Sequence, residues 1–172
     1  YGIPSVPPPD VLVYNTNQCR EVQDWFAYYS RTFKVPALGV FSPWKIDQLN
    51  REPIGHVSHQ IEGMIPELER LSGRSFDLDR LKEVIALSRR TSDLWLEFLQ
   101  TARQRPSPIT FFDGCIQMAP AVVLRGTQAA VDYYELLNRE MREHLSRKDS
   151  AVEKEVVRLY WEGMPVWGKL RF

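Results

Sequence analysis

The stretch from Pro9 to Phe41, PDVLVYNTNQCREVQDWFAYYSRTFKVPALGVF, leaves this chain few ways to fold. Val11 to Tyr14 is a run of β-formers too short for a helix, and it predicts a buried strand. A polar turn follows, Asn15-Thr16-Asn17-Gln18, and then Cys19. From there apolar residues recur at Cys19, Val22, Phe26, Tyr29 and Phe33, the spacing of one helix face. Pro36 breaks the helix, and Ala37 to Phe41 reads as a second buried strand. Together they make a βαβ unit, two parallel strands covered by the helix. Ligands of such sheets bind just beyond the carboxyl ends of the strands. Cys19 stands there, in the turn or the first helical residues, where unpaired N–H groups and the helix dipole favour a thiolate. The alternative is a small buried packing residue, since free cysteine is among the most buried types. Trp25, Phe26, Tyr28 and Tyr29 cluster at helical spacing and read as core packing.

Beyond Phe41 the pattern turns helical. Ser42 to Pro53 reads as a loop, with room for one helical turn around Ile46 to Leu49. A helix is expected from about His56 to Ser72, ended by Gly73, and either kinked or divided at Pro66. Asp77 is a good N-cap for a long helix over Leu78 to Gln104. Its buried stripe reads Leu81, Val84, Ile85, Ser88, Thr91 or Ser92, Trp95 and Leu99, and the small residues from Ser88 to Ser92 suggest a close helix crossing. Ile109 to Leu124, interrupted by Gly114 and Pro120, reads as one or two short buried helices. Thr127 caps a helix over Gln128 to Arg147, with Ala130, Tyr134, Leu137, Met141 and Leu145 inward. Val156 to Trp161 reads as a strand, and Val166 onward as the start of another helix. The fold class is therefore α/β, a partial Rossmann-like parallel sheet with a mainly helical middle segment. Residues 1–43 belong to a first α/β domain, 44–153 to the helical segment, and 154–172 to the start of a second α/β domain.

Composition narrows the function classes. At 172 residues the chain can bury a real core, and Lys plus Arg balance Asp plus Glu at 22 each. No net field draws it to nucleic acid or an anionic membrane, and no apolar run approaches a membrane span. Two cysteines in unlike contexts make no disulfide framework, so a reducing cytoplasm is expected. The chain begins at Tyr1 in a Pro-rich lead and stops at Phe172 within an apolar pattern, and is read as a piece of something longer.

Few side chains are placed for chemistry, and no catalytic base is assigned. His56 and His59 lie three apart but lack a third metal ligand, and surface or cap histidines are the plainer reading. Cys115 follows a Gly turn at Asp113-Gly114 and has no partner at cluster spacing, which reads as a buried thiol. Trp161, Glu162 and Trp167 surround a Gly-Pro turn at the end of the last strand, which suits either a ligand site or an inter-domain hinge.

The run RLYWEGMPVWGKLRF, with LVYNTNQCREVQDWF, LERLSGRSFDLDRLKEVIALS and YYELLNRE, resembles a subunit of the 2-hydroxyacyl-CoA dehydratase and benzoyl-CoA reductase family. The resemblance runs from about Pro9 to Phe172 and covers the middle of a family subunit. It implies a heterodimer of two homologous subunits, each of two α/β domains with helical elaboration. It implies a [4Fe–4S] cluster held by three cysteines spread along the subunit. It also implies an ATP-hydrolysing activator that supplies one electron, and an acyl-CoA substrate that loses water as a ketyl radical or has its aromatic ring reduced. Cys19 matches the family's cluster cysteine that follows a strand, and a thiolate is the expected ligand. The other ligands are expected before Tyr1 and after Phe172, so the piece alone is expected to hold no cluster and to be inactive. Two rival readings are a non-catalytic helical interaction module and an enzyme using Cys19 as nucleophile.

Overall fold

The computed structural model describes residues 7–17, 19–43, 51–163, 166, 168 and 169. They belong to two compact units, residues 1–76 and 77–172.

The first unit contains the expected βαβ arrangement: β1 (Leu12–Asn15), α1 (Arg20–Phe33) and β2 (Ala37–Val40). The strands pair in parallel, from Leu12 opposite Ala37 to Asn15 opposite Val40. Gly39 is the register partner of Tyr14, and a Cβ there would come within 2.7 Å of the Tyr14 ring. Glycine at that point lets the ring lie across the neighbouring strand. Helix α1 ends where Lys34 turns left-handed, φ 56°, and its N–H returns to Ser30 O. Pro36 then prevents any resumption.

The strands are less buried than expected. Each alternates half-buried and exposed residues, and Val13 is 51% exposed. A two-stranded sheet offers α1 only a narrow strip, so one stripe of the helix can be covered. Phe26 meets Tyr14 at 5.7 Å and Tyr29 stacks on Phe33 at 5.9 Å. Trp25 and Tyr28, expected in the core, face solvent on the other side of the helix.

Helix α2 (Arg51–Ser72) starts five residues before His56 and continues through Pro66 as one helix. One missing ladder bond does not divide a helix of 22 residues. Gly73, at φ +66°, ends it by returning its N–H to Glu69 O at 2.9 Å. The helical turn expected around Ile46 to Leu49 lies outside the described residues.

The second unit begins with α3 (Leu78–Gln100). The Asp77 carboxylate accepts from the N–H groups of Asp79 and Arg80 at 2.9 and 3.0 Å, the expected N-cap. A 3-10 turn at Thr101–Arg103 follows. Then come α4 (Phe111–Gln117), α5 (Ala119–Val123) and α6 (Gln128–Arg147), the last capped by Thr127. Leu94, Ala121, Val131 and Tyr134 form one core cluster; Phe98, Ile109 and Met141 form a second. Trp95 and Leu137 touch both. Each large apolar side chain buried this fully contributes about 1.5–3 kcal/mol.

The buried stripe of α3 differs from the expected one. Thr91, Leu94 and Phe98 are buried, while Leu81 and Ile85 are exposed. The small residues Ser88 and Ser92 seat a guanidinium: Arg125, just past α5, donates to Ser88 Oγ at 2.8 Å, Ser92 Oγ at 3.0 Å and Ala121 O at 3.0 Å. Gly126 follows at φ +80°, where a Cβ would meet Val84 Cγ1 at 2.6 Å.

The expected strand at Val156–Trp161 is absent. Residues 154–162 form no regular element and pair with no strand among the described residues. Val156, Val157, Leu159 and Tyr160 are 81%, 72%, 83% and 88% exposed. The segment is fastened as a strap. Ala151 N–H donates to Ser107 O at 2.9 Å, and Glu155 Oε2 accepts from Ser107 N–H at 2.8 Å. Arg158 pairs with Glu155 at 2.6 Å and donates to the carbonyls of Ala102 and Gln104. The helix expected from Val166 falls largely outside the described residues.

Candidate functional site

The carboxyl edge of the two-stranded sheet collects the polar and sulfur groups of the first unit. The ladder runs one residue past β1, where Thr16 N–H donates to Val40 O at 3.0 Å. Asn15 Oδ1 then accepts from Asn17 N–H at 2.9 Å, an Asx turn that redirects the chain toward α1. Gln23, in the first turns of α1, reaches back to Thr16 O at 3.3 Å. Cys19 is the N-cap residue, with φ −59° and ψ 156°, and its carbonyl accepts from Val22 N–H at 3.2 Å. Its side chain makes no capping hydrogen bond and is exposed. In this chain the residue is thus exposed rather than buried, at the edge where such a sheet would hold a ligand. Thr16 Oγ1, three residues earlier in the chain, is buried with no hydrogen-bond partner among the described residues.

On the β2 side the edge is held by α2. Gln60 Oε1 accepts from Phe41 N–H at 2.8 Å, and Gln60 Nε2 donates to Phe41 O at 2.9 Å. His56, one turn earlier, sets its ring edge-on to that of Phe41 at 6.2 Å. His56 and His59 are both exposed, and the described residues hold no group of three His, Cys, Asp or Glu suited to a metal ion. Nothing in the sequence pattern marks Gln23 or Gln60, since carboxamides on a helix read as ordinary solvated residues.

The remaining candidates lie in the second unit. Cys115 is not in a turn but inside α4, whose first turn is closed by a capping box between Thr110 and Asp113. It is half-buried and lines a largely apolar cavity of about 680 Å³ with Trp95, Leu99, Phe111 and Met118. The charged residues on that cavity, Glu155 and Arg158, are engaged with each other and with backbone groups. Trp161 tilts against Phe111 at 6.3 Å. Glu162 is exposed and makes no ion pair among the described residues; the carboxylate that pairs with an arginine there is Glu155. Trp167 lies outside the described residues. Cys19 belongs to the first unit, and Cys115 and Trp161 to the second.

The 2-hydroxyglutaryl-CoA dehydratase, D-component family profile matches residues 2–172. The chain belongs to that family. It is 29% identical over 168 residues to the (R)-phenyllactyl-CoA dehydratase alpha subunit of Clostridium sporogenes, covering 96% of this chain and 41% of that protein. It is 28% identical to the (R)-2-hydroxyglutaryl-CoA dehydratase alpha subunit of Acidaminococcus fermentans, over 96% of this chain and 35% of that protein. It is 31% identical over 176 residues to a benzoyl-CoA reductase subunit of Thauera aromatica, over 96% of this chain and 41% of that protein. The chain thus spans about two fifths of the length of these relatives. No described helix is long and apolar enough to cross a membrane.

The iron–sulfur cluster that the resemblance implies can be tested against these residues. Cys19 has the right donor and an open position for one ligand. The chain's other cysteine lines an apolar cavity in the other unit. The described residues of this chain therefore offer one exposed thiol of the right kind and not a complete ligand set, and no chemical step is drawn through the group.

Proposed function

We propose that this chain is a segment of an iron–sulfur subunit that takes an electron from an ATP-hydrolysing activator and reduces an acyl-CoA thioester. The outcome would be dehydration of a 2-hydroxyacyl-CoA or ring reduction of benzoyl-CoA. The subunit works as a heterodimer with a homologous partner, in the cytoplasm, and carries a [4Fe–4S] cluster. The observation that carries this reading is the exposed Cys19 thiol at the N-cap of α1, in a chain whose relatives are named as subunits of acyl-CoA dehydratases and a benzoyl-CoA reductase. Cys19 supplies one cluster ligand; the rest come from parts of the subunit outside this chain.

On the same reading, residues 1–43 belong to the first α/β domain, 44–153 form the helical segment, and 154–172 open the second α/β domain. The exposed side chains of Val156, Val157, Leu159 and Tyr160 support that last assignment, since the segment has the composition of a strand and pairs with none among the described residues. Trp161, Glu162 and Trp167 would then face the cleft between domains, where large aromatic side chains exclude water from the reacting thioester.

The test is Cys19→Ser in the complete subunit. Iron content and the cluster's visible absorbance should fall while the far-ultraviolet dichroism stays the same. Unchanged iron and absorbance would show that Cys19 is not a ligand.

A further inference from the structure

We propose that the cavity beside the strap is a binding site for an uncharged carbonyl compound with an apolar body, whose oxygen accepts from Trp95 Nε1–H. The cavity measures about 680 Å³. Small-molecule sites ordinarily run from about 300 to 1,000 Å³. Its wall is built within the second unit: α3 gives Trp95 and Leu99, α4 gives Phe111 and Cys115, and the strap gives Val157 and Leu159. The site does not draw on Cys19, which belongs to the first unit.

The polar side chains on the wall decide what such a cavity takes, and nearly all of them are already engaged. Ser107 Oγ donates to Ile109 O at 2.6 Å, and Thr110 Oγ1 donates to Asp113 Oδ2 at 2.8 Å. The two charged residues, Glu155 and Arg158, pair with each other at 2.6 Å, and the guanidinium also donates to the carbonyls of Ala102 and Gln104. An ionised ligand would therefore lie against apolar groups without a counter-charge, which favours a neutral one. Trp95 is the exception. Its Nε1–H is buried and has no hydrogen-bond partner among the described residues, and an indole nitrogen can only donate. Tryptophan N–H groups ordinarily find a partner when buried, since an unpaired one costs stability. A buried water ordinarily makes about three hydrogen bonds, and the engaged side chains around this donor serve it poorly. A carbonyl oxygen needs only the one donor, and the rest of its molecule matches the apolar wall.

Cys115, half-buried on the same wall, reports occupancy. In the complete subunit, alkylation of Cys115 by N-ethylmaleimide is followed by peptide mass with three probes of one shape: benzylacetone, a ketone; hydrocinnamate, its ionised counterpart; and isopentylbenzene, a hydrocarbon. Benzylacetone at ten times its Kd should slow the alkylation about tenfold, and hydrocinnamate at the same concentration should leave it unchanged. Trp95→Phe keeps an aromatic wall and removes the donor. It should raise the Kd of benzylacetone about three- to tenfold more than that of isopentylbenzene. The infrared carbonyl band of bound benzylacetone in the wild-type subunit should lie below its position in hexane, as for a carbonyl that accepts a hydrogen bond. No binding of the ketone overturns the proposal, as would follow if other parts of the subunit fill the cavity. Equal protection by hydrocinnamate, or equal losses for ketone and hydrocarbon in Trp95→Phe, overturns it as well. If Trp95→Phe fails to fold, or Cys115 resists alkylation from the start, the infrared band decides: at its hexane position it sinks the proposal, and below that position it supports it.

Discussion

Tyr134 shows how much one side chain can hold in this chain. Its ring is fully buried between α3, α5 and α6, and its hydroxyl accepts from Ala121 N–H at 3.0 Å while donating to Gln117 O at 2.5 Å. Ala121 lies in the first turn of α5, where backbone N–H groups have no partner within the helix, so the phenol serves as a remote cap. Burial pushes the phenol above its ordinary pKa, with the Ala121 N–H pulling the other way. Tyr134→Phe keeps the packing and removes the cap, leaving a buried N–H unpaired. Urea unfolding should show a loss of about 1–3 kcal/mol. A loss under about 0.5 kcal/mol would mean that the hydroxyl is not needed to satisfy Ala121. The sequence pattern places Tyr134 inward because it falls on a clean apolar stripe, but the task of its hydroxyl has no signature in periodicity. The same holds at the candidate site. The place of Cys19 at the turn from β1 into α1 was legible from the βαβ pattern, with its role left open; the contacts of Gln23 and Gln60 were not.

At the scale of elements, the strap over residues 151–159 is fastened in part through one carboxylate. Glu155 is held below its ordinary pKa of 4.5 first by the Arg158 guanidinium and then by the Ser107 N–H. A depressed pKa in the folded state gives stabilisation that is present above the ordinary value and lost as pH falls through the lowered one. Acidification below the ordinary carboxylate range should therefore free the strap before it disturbs α3 and α6. Amide exchange measured along a pH series should show residues 151–159 losing protection first, and Glu155→Gln should show the same loosening at neutral pH. Strap protection unchanged in Glu155→Gln at neutral pH would rule out the ion pair as its fastening. The elements themselves were mostly readable: both strands, their parallel pairing and the principal helices follow from period, caps and the βαβ order. Two readings failed for physical reasons. Along α3, apolar residues sit side by side at Leu94, Trp95 and Leu96 and again at Phe98 and Leu99, so periodicity alone could not choose the face that α6 would cover. Val156–Trp161 has strand composition, but a strand is completed by its neighbours, and among the described residues there are none.

The chain as a whole carries too few cysteines for the cofactor proposed for the subunit. A [4Fe–4S] cluster has four irons to satisfy, ordinarily by cysteine thiolates. The chain has 2 cysteines in all. Cys19 is exposed at a helix N-cap in one compact unit, and Cys115 sits within α4 against an apolar cavity in the other. Of the 3 histidines, His56 and His59 are exposed on α2, and His144 is engaged by Asp149 at 2.7 Å. No described group of three such side chains converges. Anaerobic reconstitution of these 172 residues with iron and sulfide should therefore leave well under one cluster per chain, read as iron per protein and visible absorbance. The result should be the same for Cys115→Ser, since that thiol has no place in the proposed ligand set. A stable cluster at one per chain, lost in Cys115→Ser or on replacing a histidine, would mean that this chain builds its own site, and the assignment of the remaining ligands to other parts of the subunit would have to be given up.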